Sequence, residues 1–233
     1  MKFKNILVIF AISLIMAFTL FSSINKSITV TNGKSVDSLS SINGSITIGE
    51  KCKVNSGIKN VNGSIEVGAR SIVRGNIKNV NGGIRIENNC KTDDVRNVNG
   101  NIRIREDVSV MGIVRSVNGS IRIRNGSVVR DGIKTVNGTI KISGVKLEDG
   151  ITTVNGNITI SDNSIVNGDI LIKESKRSFL GIFKSSRHLK LKIKITGNSI
   201  IKGDIINEDE DFDVILILEK GSKVLGKTIN IHS

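Results

Sequence analysis

The dipeptide Asn-Gly returns along this chain every 18 or 19 residues, and no other feature constrains the fold as strongly. An aliphatic residue precedes each of these dipeptides, and the pattern x-Ile-x-Ile or x-Ile-x-Val follows it. A tight turn that leads into a short strand is therefore predicted at every repeat. We interpret seven asparagines as structural corners: Asn43, Asn62, Asn81, Asn99, Asn118, Asn137 and Asn155.

Positions within each repeat are counted from the aliphatic residue, which is position 0. Apolar or small residues recur at positions 4, 6, 10, 12 and 16. They form pairs two residues apart, as strands with one inward face do, and a corner separates one pair from the next. The sequence therefore predicts an all-β fold: a single-stranded parallel β-helix, or three-sided β-solenoid, with about 18–19 residues per coil.

The composition suits a narrow stack of this kind. The 233 residues include 24 Gly but no Pro, Trp or Tyr, and the apolar residues are mostly Ile and Val, which favour strands. Coils stacked about 4.8 Å apart give every strand a parallel neighbour and align equivalent positions. Asn and Gly tolerate the positive φ of tight corners, and we expect the Asn side chains to hydrogen-bond to their stacked equivalents.

The two cysteines are 38 residues apart, and both fall at position 10, with Ser71 between them. Two coils separate Cys52 from Cys90 by about 9.6 Å, which is too far for a disulfide. We interpret both as core residues. Since the chain has no Cys-x-x-Cys and only two histidines, we expect no metal site, redox site or cofactor.

The N-terminus has the order of charge and hydrophobicity found in secretory signals. Lys2 and Lys4 precede an apolar run over residues 6–21. Residues 1–23 are therefore predicted to be a signal peptide or a membrane anchor, and both alternatives stay open. We expect the protein to be exported to the periplasm, cell envelope or cell surface. The rest divides into solenoid repeats (27–172), a basic and apolar insertion loop (173–194), and terminal coils with a cap (195–233).

The Val-Asn-Gly-x-Ile-x-Ile units, together with residues 199–205 and 219–226, resemble the coils of bacterial bactofilins and of adhesin-like β-helix repeat proteins. The resemblance covers about residues 40–230. It implies a right-handed, three-sided helix that is not an enzyme and that sometimes assembles end to end into filaments. Bactofilins are mostly cytoplasmic or held at the inner membrane face, so the signal-like N-terminus argues against a cytoskeletal role here.

Stacked coils arrange the outward residues in columns, and three of these columns are basic. They are candidate anion-binding ladders: Arg85, Arg103, Arg122 and Lys141 at position 5; Arg105 and Arg124 at position 7; and Lys59, Lys78, Arg96, Arg115 and Lys134 at position 17. Like charges on adjacent strands repel, so one interpretation is that they match the charges of a polyanion. The alternative is that they keep sheet faces from aggregating.

Several partners are compatible with the net charge of +13. An anionic envelope polymer or a membrane surface is expected, whereas nucleic acid is not, because no aromatic residues accompany the cations. The insertion carries a candidate tip for a membrane or partner, formed by Phe179, Leu180, Ile182 and Phe183. Alternatively, that loop folds back over the solenoid. Homo-assembly by stacking of terminal coils is a further expectation.

No catalytic constellation is recognisable, because the acidic residues are scattered over corners and have no nucleophilic or basic companions. We therefore expect a non-enzymatic, exported β-helix protein that serves as a structural or adhesin-like binding surface of the cell envelope. A self-assembling, bactofilin-like filament scaffold is the first alternative. A polysaccharide-active β-helix enzyme is the second, because fold alone constrains function poorly.

Overall fold

The computed structural model describes residues 25–174, 189–209, 212–219 and 221–232. Two predicted features, the export segment 1–23 and the tip from Phe179 to Phe183, lie outside the described residues. The described chain forms three parallel sheets of ten strands each, and every third strand along the chain belongs to the same sheet. This confirms the prediction of a three-sided β-solenoid, which has about ten coils.

The first face, called sheet one, follows the Asn-Gly corner in each coil that has one. Its strands are β1 (Ile28–Val30), β4 (Ile46–Ile48), β7 (Ile65–Val67), β10 (Ile84–Ile86), β13 (Ile102–Ile104), β16 (Ile121–Ile123), β19 (Ile140–Ser143), β22 (Ile158–Ser161), β25 (Leu189–Ile195) and β28 (Phe212–Leu218).

The second face, called sheet two, has two-residue strands only. They are β2 (Ser35–Val36), β5 (Lys53–Val54), β8 (Ile72–Val73), β11 (Lys91–Thr92), β14 (Ser109–Val110), β17 (Val128–Val129), β20 (Lys146–Leu147), β23 (Ile165–Val166), β26 (Ile200–Ile201) and β29 (Lys223–Val224).

The third face, called sheet three, ends at the next Asn-Gly corner. Its strands are β3 (Leu39–Asn43), β6 (Ile58–Asn62), β9 (Ile77–Asn81), β12 (Val95–Asn99), β15 (Val114–Asn118), β18 (Ile133–Asn137), β21 (Ile151–Thr153), β24 (Ile170–Ile172), β27 (Ile205–Asn207) and β30 (Thr228–Ile229).

The core is a column of aliphatic side chains enclosed by the three sheets. Position 4 illustrates it, since Ile65, Ile102 and Ile121 are fully buried and stack in register through the sheet-one ladder. Burying a side chain of this size contributes about 1.5–3 kcal/mol relative to leaving it exposed. Because every coil repeats the same inward residues, the core is continuous along the rod.

The sheet-three face departs from the predicted pattern in two ways. The aliphatic residue at position 0 does not join the central core: Val61 and Val98 are only half-buried, and Val80 and Val117 are buried but lie outside it. The fully buried side chain is instead the polar residue just before it, as at Asn60 and Asn97. Strand alternation explains both findings, because Ile58 and Asn60 share the inner face of β6 while Val61 lies on the other face.

The Asn-Gly corners carry a ladder of asparagine side chains, although positive φ is found at corner glycines and at none of the seven corner asparagines. Each side-chain nitrogen from Asn43 to Asn137 donates to the side-chain oxygen of the equivalent asparagine one coil earlier, over 2.7–2.9 Å, in a ladder that begins at Asn25. For Asn155 the structure shows a backbone bridge to Asn137 instead.

Glycine is required at these corners by two independent features. Gly63 and Gly100 adopt φ values of 131° and 141°, which favour glycine. In addition, a Cβ on Gly100 would lie 2.2 Å from the carbonyl oxygen of Gly82 in the preceding coil. The backbones therefore approach each other too closely for any side chain.

Cys52 and Cys90 are buried and unbonded to each other, as predicted. Their thiols donate to carbonyl oxygens of the preceding coil, Cys52 to Thr31 over 3.2 Å and Cys90 to Gly68 over 3.2 Å. Ser71 occupies the same position in the coil between them, and its hydroxyl accepts the backbone N–H of Cys52 over 3.0 Å. In these three coils, position 10 therefore holds a small side chain that hydrogen-bonds to the neighbouring backbone, whereas Val108 fills the same position with an aliphatic side chain.

The stack continues on both sides of the insertion. Strand β25 pairs with β22, with Ile193 opposite Ile158, although 35 residues of sequence separate them. The strand begins at Leu189, inside the range 173–194 assigned to the insertion. Strands β25 and β28 have seven residues each, longer than the earlier strands of sheet one.

Candidate functional site

The position-5 cations form one straight column on the outer face of sheet one. Arg85, Arg103, Arg122 and Lys141 are directly opposite one another across β10, β13, β16 and β19. All four are exposed. Adjacent members are attached to strands about 4.8 Å apart, so their charges repel. We call these four residues the central cation column.

Counter-charges reach only one end of the central cation column. The guanidinium of Arg85 is 3.8 Å from the carboxylate of Glu66 in the preceding coil. Arg103, Arg122 and Lys141 make no ion pair with any residue that the structure describes. Three stacked cations are therefore available to an external anion.

The position-7 residues lie beside the central cation column on the same face. Arg105 is half-buried and is 3.7 Å from the carboxylate of Glu87. Arg124 is exposed and, within the described ranges, has no ion-pair partner. The structure thus brings Arg124 together with Arg122 and Lys141 at one place, where they line a shallow groove of about 420 Å³.

The position-17 cations lie on a different face, sheet three, and in a different environment. Lys59, Lys78, Arg96, Arg115 and Lys134 pair in register along β6, β9, β12, β15 and β18.

Most of these sheet-three cations are partly withdrawn from water. Burial lowers the pKa of Lys78, and the neighbouring Arg96 and Lys59 lower it further. Burial also lowers the pKa of Arg115, with Arg96 adding to the effect. Arg96 is paired with Asp94 over 2.7 Å. This column is therefore less suited than the central cation column to bind an anion from solution.

Neutral polar side chains flank the central cation column on both sides, and the sequence analysis did not identify them. At position 3 they include Asn101, Ser120 and Thr139, and at position 7 Ser143 and Ser161 continue the row that Arg105 and Arg124 begin. Their signal in the sequence is weak, since Ser, Thr and Asn are common in any strand-edge position. Only the stacked register shows that they form continuous rows.

The described residues contain no group of three or more His, Cys, Asp or Glu side chains placed to hold a metal ion. Within the same ranges, no helix is long and apolar enough to cross a membrane. The tip formed by Phe179, Leu180, Ile182 and Phe183 lies outside these ranges and stays a prediction.

Searches of protein-family models, curated proteins and solved structures found no match to this chain. What the structure supports is a β-helix repeat protein. The more specific resemblance to bactofilins or to adhesin-like repeat proteins stays a prediction.

Proposed function

We propose that this protein is exported and that it serves, without enzymatic activity, as a structural or adhesin-like surface of the cell envelope that binds an anionic polymer through sheet one. One observation carries the proposal: Arg103, Arg122 and Lys141 are exposed, stacked and without ion-pair partners among the described residues. The charged and then apolar residues 1–23 support export.

The register of the unpaired cations favours binding over a purely protective role for these charges. Among the described residues, some cations elsewhere on the solenoid have a carboxylate within reach, as Arg130 has Glu148 at 3.8 Å, and others do not, but in the central cation column three cations without an ion pair lie directly opposite one another on adjacent strands. Repulsion along the central cation column destabilises the free protein, and a bound row of negative charges relieves it. A linear polyanion laid along the rod meets one cation per coil.

The test is binding of fluorescent polyphosphate to the full chain, followed by anisotropy at two salt concentrations. Arg103→Glu with Arg122→Glu should weaken binding at least about ten-fold and reduce the salt dependence. The matched control is Arg74→Glu with Lys91→Glu, which changes the net charge equally but around the exposed side of sheet two. Equal losses in both double variants, or no binding of polyphosphate or of any other polyanion by the unmodified protein, would contradict the proposal.

A second candidate function, a filament scaffold, is favoured by the last coil. Four large apolar side chains are exposed there, namely Ile217, Leu218, Leu225 and Ile229. Among the described residues, the outer edges of β29 and β30 have no strand partner, and only a short bridge from His232 covers β28. Exposed strand edges with apolar side chains promote stacking onto another copy.

Electron microscopy of the full chain over a range of concentrations tests this scaffold function. Filaments should form, and Leu225→Lys should abolish them because Leu225, 63% exposed, lies in the last coil. Ile72→Lys is the control, since Ile72 is also exposed, at 41%, but lies mid-stack on sheet two. A chain that stays monomeric, or filaments that survive Leu225→Lys, would rule out this mode of assembly.

A further inference from the structure

The outer face of sheet one is more than a row of charges. The central cation column runs down its middle, and a row of amide and hydroxyl groups lies on one side, formed by Asn101, Ser120 and Thr139. On the other side, Arg105 and Arg124 are followed in the same row by the hydroxyls of Ser143 and Ser161. Hydroxyl and amide groups both donate and accept hydrogen bonds, whereas an ionised polyanion only accepts them, so a ligand that also carries hydroxyls uses these groups more fully.

Two grooves follow this arrangement. One, of about 220 Å³, is lined by Asn101, Ser120 and Thr139, and the other, of about 420 Å³, is lined by Ser143 and Ser161. Arg122 and Lys141 line both grooves. The smaller groove has neutral hydrogen-bonding groups opposite these cations, whereas the larger one also contains a third cation, Arg124, and a carboxylate, Glu106. The side-chain oxygen of Asn101 accepts the N–H of Ser120 over 2.9 Å, which directs the amide and leaves its NH₂ group for a ligand.

One carboxylate, Glu106, lines the larger groove, and a second, Asp162, is hydrogen-bonded to two hydroxyls of its lining. One oxygen of Asp162 accepts hydrogen bonds from the hydroxyls of Ser143, over 2.5 Å, and Ser161, over 2.8 Å. These bonds, that from Ser143 first, lower the pKa of Asp162, so the side chain is ionised at neutral pH. Its other oxygen is left to accept from a hydroxyl donor. A carboxylate here repels a bare polyanion but suits a ligand rich in hydroxyls.

Resting on the proposed function, we infer that the anionic polymer is an acidic polysaccharide, which lies parallel to the rod with its carboxylates on the central cation column and its hydroxyls on the flanking rows. The coil spacing of about 4.8 Å favours this class, because a sugar in an extended polysaccharide advances by a comparable distance. Each coil then presents one cation and its neighbouring polar groups to one sugar. Hydrogen bonds to hydroxyls give the specificity that charge alone lacks.

The experiment compares polygalacturonate with polyphosphate as probes for the full chain, at equal concentration of charge. Electrostatics alone favours polyphosphate, which is the more densely charged polymer. We expect polygalacturonate to bind at least about ten-fold more tightly. Thr139→Val and Ser143→Ala should each weaken polygalacturonate binding by about five-fold, the loss of one net hydrogen bond. Ser143→Ala should leave polyphosphate binding unchanged, because the Ser143 hydroxyl gives its proton to Asp162 and an ionised phosphate has no proton to donate to it.

The control is Thr152→Val, which removes a hydroxyl from the outer face of sheet three. It should leave binding of both polymers unchanged. Equal or reversed affinities for the two polymers, or no effect of Thr139→Val and Ser143→Ala, would overturn the inference while polyanion binding stands. If neither polymer binds, the proposed function itself fails.

Discussion

The side-chain nitrogen of Asn97 donates a hydrogen bond to the carbonyl oxygen of Gly82, one coil earlier, over 2.8 Å and from inside the solenoid. Its side-chain oxygen accepts the N–H of Val98 over 2.9 Å. The Asn60 amide, two coils earlier, makes the same two contacts with Gly44 and Val61. A buried amide thus satisfies the backbone at the corner where the glycines force the coils together.

Replacement of Asn97 by Ala should lower the free energy of unfolding by about 1–3 kcal/mol, because a buried carbonyl and a buried N–H lose their partner. Urea titration measures this change. Thr135→Val is the matched control in the same column: the Thr135 hydroxyl is buried and has no hydrogen-bond partner in the described chain. That variant should be neutral or more stable. Equal destabilisation by both would contradict the role given to the amide.

Two adjacent glycines show the difference between a position where close backbone approach requires glycine and a position where a side chain has room. A Cβ on Gly82 would lie 2.4 Å from the carbonyl oxygen of Gly63, at a φ of 122°, whereas a Cβ on Gly83 would lie 3.5 Å from its nearest neighbour. Gly82→Ala should therefore cost about 3 kcal/mol or more, and Gly83→Ala about 0.5 kcal/mol or less in either direction. Thermal unfolding of both variants measures the difference. If Gly82→Ala is tolerated, the coils are not stacked as closely as described.

The pH dependence of the free energy of unfolding should reveal the raised pKa of the Cys90 thiol. Burial raises the pKa of its thiol above the ordinary 9.0, so the folded chain holds the proton at pH values where the unfolded chain has lost it. The resulting stabilisation is complete below pH 9 and is lost as the pH rises towards the folded pKa.

Cys90→Ser is the comparison, since Ser71 and Ser127 occupy the same position in other coils. Between pH 8 and pH 10, the free energy of unfolding should fall further in the unmodified protein than in Cys90→Ser, because titration of other groups is common to both. Parallel pH profiles would show that the thiol titrates normally.

Replacement by alanine should affect stability differently at Ile121 and Arg122, which are neighbours on β16. Ile121 is fully buried, so Ile121→Ala should cost about 2–5 kcal/mol. Arg122 is exposed between Arg103 and Lys141, so Arg122→Ala should leave stability unchanged or raise it by about 0.5 kcal/mol at low salt. Added salt should shrink that gain by screening the column. A large loss of stability in Arg122→Ala would mean that packing of the Arg122 side chain outweighs its repulsion from Arg103 and Lys141.

The fold was predictable because position 4 and its partners repeat in every coil, and a repeated aliphatic pair defines both the strand and its inner face. Asn60 and Asn97 were harder to place, since a polar residue beside an aliphatic one normally faces solvent. Only the corner carbonyls that they satisfy, such as that of Gly82, account for their burial. The charged column from Arg85 to Lys141 followed from the spacing, whereas Asp162 and its serines meet across coils and had no pattern of their own.

The two longest connections between equivalent positions of sheet three and sheet one lie at one edge of the rod. They follow Ile172 and Asn207, and Lys173 and Glu208 are paired there over 2.9 Å. In the seven preceding coils this junction is closed by Asn-Gly. Longer connections are thus found where the Asn-Gly corner is absent, and the strands on either side of them keep their places in the three sheets. Insertions are therefore accommodated along one edge of the rod.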